Sequence, residues 1–291
     1  MRVSDEIRDA GWGRVVALET TLVAHGFPRG EGVEVAVEAE RRVRAAGAIP
    51  ATIGVLDGEI VVGLTREELA QFDADARKVG PRDLAAACAQ RVVGATTVGG
   101  TLAVCRVTPL QVLATGGIGG VHRGWRDHPD VSADLAELAR TQCVVVCSGI
   151  KSLLDVEATM EVLESLGVPV LGWWTETLPR FYSARGGPPV PARVESAADV
   201  AQIAATHWED LHGGAVVVAR PPRDSLDDVE PLIEDALRAA REDGVSGQQV
   251  TPYVLSFLHR WSEGRTLRAN RDLVLDNATL AAEIALELAD A

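Results

Sequence analysis

Lysine is nearly missing from this chain. Of its 28 basic residues only Lys78 and Lys151 are lysine, and the rest are arginine. An amine can lose its proton and attack a carbonyl carbon, whereas a guanidinium in practice cannot. Two leftovers in 28 need no reason, so the positions of these lysines decide whether they carry chemistry. Positive charge is scarce too, the net charge being −14. Nucleic acid is bound through clustered cations, so it is excluded as a partner. The four cysteines (Cys88, Cys105, Cys143 and Cys147) show neither C-x-x-C pairing nor zinc spacing, so buried thiols are expected rather than a disulfide framework. No apolar run approaches the roughly 20 residues of a membrane helix. The opening MRVSDEIRDAGWGR has no apolar core of a secretory signal. A soluble, cytoplasmic protein with no membrane partner is the expectation.

What is present is apolar mass and alternation. With 291 residues, 47% of them hydrophobic, the chain can bury a large core. RVVAL (14–18), QVLAT, CVVVCS, VPVLGW and AVVVAR read as strands. EVAVEAERRVRAAG (34–47), DVSADLAELART and EATMEVLESLG read as helices, and Leu280, Ile284 and Leu288 form the apolar stripe of a last one. ATIGVL and EIVVGL flank Asp57-Gly58, a two-residue hairpin signal, so part of the sheet is antiparallel. Alternating strands and helices predict a three-layer α/β/α architecture with a mixed, mainly parallel sheet. The loop RGGPPVPAR (185–193) interrupts the alternation without ending it, so one domain over residues 1–291 is expected.

In open α/β sheets ligands sit outside the carboxyl ends of the strands, and unusual residues fall there. Glu19 ends RVVAL, Thr115 to Gly120 (TGGIGG) follows QVLA, Lys151 follows CVVVCSGI, and Trp173 and Trp174 follow VPVLG. As a helix cap Lys151 reads poorly, because a cation near a helix start opposes the macrodipole. The glycine run is not a dinucleotide fingerprint: the third glycine of G-x-G-x-x-G is His122 here, and no helix opens after it. It remains either a tight turn or a close backbone approach. His122, His128, Asp130, Ser132 and Asp134 follow. Asp130 or Ser132 suffices as a plain N-cap. The other reading has Ser132 and exposed N–H groups on a phosphate, with Asp130 turned to Mg²⁺ or Mn²⁺. His25, His207, His212 and His259 lack ligand spacing and read as structural or surface residues.

The segments ALETTLVAHGFP, GAIPATIGVLDGEIVVGL, KVGPRDL, GATTV, LATGGIGGVHRG, DVSADLAELART, VVVCSGIKSLLDVEATMEVLESLGVPVLGW, QQVTPYVL and LRANRDLVLDNATLAAEIA occur in order over nearly the whole chain. They resemble the pseudouridine-5′-phosphate glycosidase family, also called indigoidine synthase A-like. The resemblance implies a homotrimeric α/β/α enzyme that reversibly joins ribose 5-phosphate to a carbon of uracil. It implies Lys151 as the amine that forms a sugar imine, Glu19 as proton donor and Lys78 as a substrate contact. Val98, His122, Ser132, Ala133, Asp134 and Asn270 fall on substrate-binding positions, and Asp130 on the Mn²⁺ (or Mg²⁺) ligand. Both lysines singled out by composition therefore land on functional positions. The chemistry is consistent with this, because a C-glycoside offers no heteroatom leaving group to protonate. A lysine imine at C1′ supplies the electron sink instead.

The chain departs from the family around that set. Gly80-Pro81, Val93, Gly99-Gly100, the Phe27 to Gly32 loop, CSGIKS and Trp173-Trp174 replace its usual residues. The expectation is an altered base pocket, with a tryptophan available to stack on an aromatic ring. A specialised C-ribosyl synthase that couples ribose 5-phosphate to an aromatic or uracil-like metabolite is the alternative function. A catalytically silent sugar-phosphate binder is the third.

Overall fold

The computed structural model describes every residue except His128, Ser246 and Ala291, and the side chain of Gln248. His128, singled out above, therefore lies outside the described residues. The strands are β1 (Arg2–Val3), β2 (Val15–Glu19), β3 (Ile49–Leu56), β4 (Glu59–Val62), β5 (Arg77–Val79), β6 (Gly94–Thr96) and β7 (Val112–Ala114). They continue as β8 (Val121–His122), β9 (Val144–Cys147), β10 (Leu154–Asp155), β11 (Val170–Trp173), β12 (Ala192–Val194) and β13 (Val216–Ala219).

Eleven of these form one sheet, in the order β1-β4-β3-β2-β7-β9-β13-β11-β12, with β6 also on β3 and β5 on β6. The run from β3 to β12 is parallel; β4 and β6 pair antiparallel with β3. The hairpin lies where Asp57-Gly58 predicts it. Leu56 pairs with Glu59, and both turn residues have positive φ, 53° and 85°, as a type I′ turn requires. The central strands β2, β7, β9 and β13 are buried at every residue. That is why they read as unbroken valine-rich runs rather than alternating ones.

Helices cover both faces. The longest, Arg265–Asp290, packs across β2, β7 and β9, flanked by helices Glu31–Ala45 and Ala197–Glu209. Its middle is buried almost all round, from Ala269 to Ala285, so it is a core helix rather than a surface one. Leu280 and Ile284 are buried as expected, and Leu288 is partly so. Helices Val98–Cys105 and Ala133–Leu138 pack together in the opposite layer. All four cysteines are free thiols; Cys105, Cys143 and Cys147 are buried and Cys88 half-buried. Burial pushes the Cys147 thiol up to about 12, which leaves it unreactive at neutral pH.

Candidate active site

Because β2, β7 and β9 are adjacent and parallel, whatever follows them emerges on one edge. Glu19 ends β2, Thr115 follows β7, and the segment Ser148 to Lys151 follows β9. The last two are zipped together. Ser148 N–H donates to Gly116 O (2.9 Å), Ile118 N–H to Gly149 O (3.1 Å) and Lys151 N–H to Ile118 O (3.2 Å). Lys151 thus sits on a loop tied to the glycine run. Arg123 braces the same loop from outside. Its guanidinium donates to Ser152 O at 2.7 Å and Leu154 O at 3.2 Å, and pairs with Glu230 at 2.7 Å.

The glycine run is a close approach, not an open turn. A Cβ on Gly119 would lie 2.3 Å from Ser132 Oγ and 2.6 Å from Asp134 Oδ2. That proximity lets Asp134 accept from Gly119 N–H at 2.8 Å while its other oxygen accepts from Gly99 N–H at 2.7 Å. Buried Asp134 (4% exposed) therefore fastens the glycine run to helix Val98–Cys105. Ser132 is the N-cap of helix Ala133–Leu138, its Oγ accepting from Asp134 N–H at 3.2 Å. The plain cap reading holds for Ser132 and not for Asp130, whose carbonyl instead accepts from His122 N–H at 3.0 Å.

Two cavities meet at the lysines. The narrower is lined by Glu19, Thr115, Phe181, Tyr182 and Asn270, and roofed by Thr251, Pro252, Leu255 and Leu258 of helix Val250–Trp261. The wider, about 630 Å³, is lined by Arg82, His122, Asp130, Ser132, Ala133 and Asp134, among others. Lys78 and Lys151 line both. A largely apolar pocket and a charged one, joined at two amines, suit a flat ring at one end and a charged group at the other.

The electrostatics follow from burial. Burial raises the Glu19 carboxyl above its ordinary range, although the Lys151 charge and the Thr115 hydroxyl that donates to Glu19 Oε1 oppose this. Lys78 is lowered to about 8, first by burial and then by the Lys151 charge beside it, so part of its population is neutral near pH 8. Burial also lowers His122, against the pull of Asp130, whose Oδ2 lies 3.7 Å from His122 Nε2. A buried acid with a raised pKa next to two amines is a proton-transfer arrangement.

Of the residues picked from sequence, Glu19, Lys78, Lys151, His122, Asp130, Ser132, Ala133, Asp134 and Asn270 all line these cavities. Val98 does not. It is fully buried in the first turn of its helix, and the neighbouring Thr97 lines the wider cavity instead. Trp173 and Trp174 are absent from both linings. Trp173 ends β11 and Trp174 follows it, and that strand lies beyond β13 and away from β7 and β9. Trp174 is 56% exposed, with the Arg193 guanidinium 5.7 Å above its ring. Of the departures from family pattern, Gly80-Pro81, Val93 and Gly99-Gly100 lie outside the narrow cavity as well. Gly80 and Pro81 line the wider one, and Val93, Gly99 and Gly100 line neither. Gly100 is small because a Cβ there would meet Val79 O at 2.4 Å. The expected remodelling of the ring pocket does not follow from these positions.

Sequence reasoning passed over three residues, Asn277, Phe181 and Tyr182, and gave Thr115, at the head of the glycine run, no role of its own. Thr115 carries the hydrogen bond to Glu19. Asn277 holds Thr115 in turn, donating from Nδ2 to Thr115 O at 2.8 Å and to Ser148 Oγ at 3.1 Å. Phe181 and Tyr182 wall the narrow cavity. A signal existed for the last pair, because the chain has only four phenylalanines and two tyrosines.

A buried acid and an amine at the carboxyl edge of a parallel sheet, with a second amine from β5 lining the same cavities, define an enzyme of the α/β class. Residues 5–287 match the family described as Indigoidine synthase A like protein. The chain is 49% identical over 285 residues to the pseudouridine-5′-phosphate glycosidase of Streptomyces griseus, covering 95% of this chain and 88% of that one. It is 44% identical to the enzyme of the same name from Geobacillus kaustophilus, covering 94% and 93%. Among solved structures, the prealnumycin C-glycosynthase AlnA in complex with ribulose 5-phosphate superposes with a TM-score of 0.89 at 38% identity, covering 99% and 97%. An indigoidine synthase A-like protein of Thermotoga maritima gives 0.87 at 39%, covering 95% and 93%. The chain belongs to the indigoidine synthase A-like family.

Proposed function

We propose that this protein is a pseudouridine-5′-phosphate glycosidase, cleaving or forming the C–C bond between ribose 5-phosphate and uracil. The observation that carries this reading is the junction of a charged and an apolar cavity at Lys151, beside buried Glu19. The wider cavity takes the sugar phosphate, with Ser132, Ala133, Asp134, His122 and Lys78 as its contacts. The narrower takes the ring, beside Asn270.

In the cleavage direction Glu19 donates its proton to the ring oxygen, and the Lys151 amine displaces that oxygen at C1′. The Glu19 carboxylate takes a proton from the attached Lys151 nitrogen, whose freed lone pair forms C1′=N⁺ as the C1′–C5 bond breaks. The electron pair of that bond stays on uracil C5, which takes the proton back from Glu19. Water hydrolyses the imine to ribose 5-phosphate and restores the amine. Glu19, recharged, is the group placed to deliver protons at both points. Val98 enters only through its helix, whose N-terminal turn Asp134 holds.

Among the described residues no group of three or more His, Cys, Asp or Glu side chains is placed to bind a metal. Asp130, partly exposed with His122 nearby, opens on a cavity with room for water. A single carboxylate completed by water and substrate oxygens fits Mn²⁺ or Mg²⁺. When bound there, the cation neutralises charge on the sugar phosphate. Exhaustive chelation, or Asp130→Asn, is expected to lower turnover at least about tenfold with the melting temperature unchanged. Full turnover after both removes the metal from the account.

The assembly we propose is a cytoplasmic homotrimer, which light scattering checks as three chain masses. A second reading, a C-ribosyl synthase for an aromatic metabolite, draws support from the similarity to AlnA. Product analysis by mass spectrometry separates the two. Release of uracil and ribose 5-phosphate from pseudouridine 5′-phosphate at ordinary enzyme rates supports the glycosidase. Failure to release them, with sugar still captured on Lys151, supports the synthase.

A further inference from the structure

Tyr182 carries a polar atom that the fold does not use. The residue is 1% exposed, and its hydroxyl has no hydrogen-bond partner among the described residues. Buried hydroxyls are nearly always paired, so an orphan lining a ligand cavity calls for a ligand atom. The ring is held firmly in place. Phe181, at φ 58°, donates its N–H to Ser148 O at 3.0 Å and packs edge-on against Tyr182 with centroids 4.7 Å apart. Tyr182 O in turn accepts from Leu226 N–H at 2.8 Å. The side chain therefore has little freedom to seek another partner.

A second orphan lines the same cavity. His25 Nε2 is buried without a partner, while the ring makes a hydrogen bond to the Ala76 backbone. We assign the ring proton to Nδ1, the nitrogen other than the unpartnered Nε2, which leaves a lone pair on Nε2. Burial, and after it the Lys78 charge, lower the imidazole pKa below the ordinary histidine value, which favours the neutral ring. The wall thus offers one unused donor and one unused acceptor.

We propose that Tyr182 and His25 determine the acceptor specificity of this site. The Tyr182 hydroxyl donates to a ring carbonyl and His25 Nε2 accepts from a ring N–H, so the ring selected is of the cyclic imide type. The inference rests on the assignment of the narrow cavity to the ring. A pocket built to pair with polar ring atoms rejects rings lacking them, because its own groups are then left unpaired. Neither residue touches the reacting C1′, and both act through binding.

The test compares Tyr182→Phe and His25→Leu with the wild type, using ribose 5-phosphate with uracil, 1-methyluracil and 3-methyluracil. Tyr182→Phe is expected to fold normally, since the lost hydroxyl bonds none of the described residues. The expected result is a KM for uracil raised roughly 10- to 100-fold, with the borohydride-trapped sugar adduct on Lys151 undiminished. The wild type should reject at least one methyluracil, and His25→Leu should lose that discrimination. An unchanged uracil KM in Tyr182→Phe, or equal discrimination in His25→Leu, overturns the pair. Absence of the Lys151 adduct in the wild type overturns the underlying function instead.

Discussion

Lys151→Arg is expected to abolish turnover, by at least roughly 10⁴-fold, the scale seen when a covalent nucleophile is removed. Charge is retained in this variant and nucleophilicity is not, so the comparison isolates the amine. The fold should survive. Lys151 sits on a loop held by backbone bonds to Ile118 and by Arg123, neither of which uses the Lys151 side chain. A melting curve superposable on the wild type therefore accompanies the loss. Substantial turnover in Lys151→Arg would show that the lysine acts only as a cation.

Glu19→Gln is expected to lower turnover by about 10²- to 10⁴-fold, the usual worth of a general acid–base, and to raise the melting temperature at neutral pH. The second effect follows from burial. At acid pH, folded and unfolded chains both hold the proton. As pH rises, the unfolded chain ionises first. Folding must then either keep the proton on Glu19 or bury its charge, so the group's contribution falls as pH passes its raised folded value. Glutamine removes that cost and still accepts from the Thr115 hydroxyl. The stability gain should vanish below the ordinary carboxylate range. A variant less stable than wild type at pH 7 would contradict the buried-acid picture. An active, stability-enhanced variant would remove Glu19 from the chemistry.

Much of this was legible before the structure. The valine runs marked the central strands because parallel strands buried on both faces tolerate nothing else, and Asp57-Gly58 marked the hairpin because only such residues take its positive φ angles. Lys151, Glu19 and the glycine run were visible as oddities at strand ends. Strand order was not legible, and it decides which strand ends are neighbours. Placing β13 between β9 and β11 took Trp173 and Trp174 out of the site, although they come at the end of a strand just as Lys151 does. Local substitutions misled for the same reason, since Gly99 and Gly100 answer to Asp134 and Val79 rather than to a ligand. Tyr182 and His25 escaped because their significance is an absence of partners, which no spacing encodes.

The central claim is that the Lys151 amine captures C1′ of the sugar phosphate. The most direct measurement is borohydride reduction of the protein incubated with ribose 5-phosphate, followed by peptide mass spectrometry. The account predicts one pentitol-phosphate mass on the peptide bearing Lys151, absent from Lys151→Ala and still present in Glu19→Gln. No adduct on the wild-type protein, or an adduct carried by Lys78 and undiminished in Lys151→Ala, would contradict it.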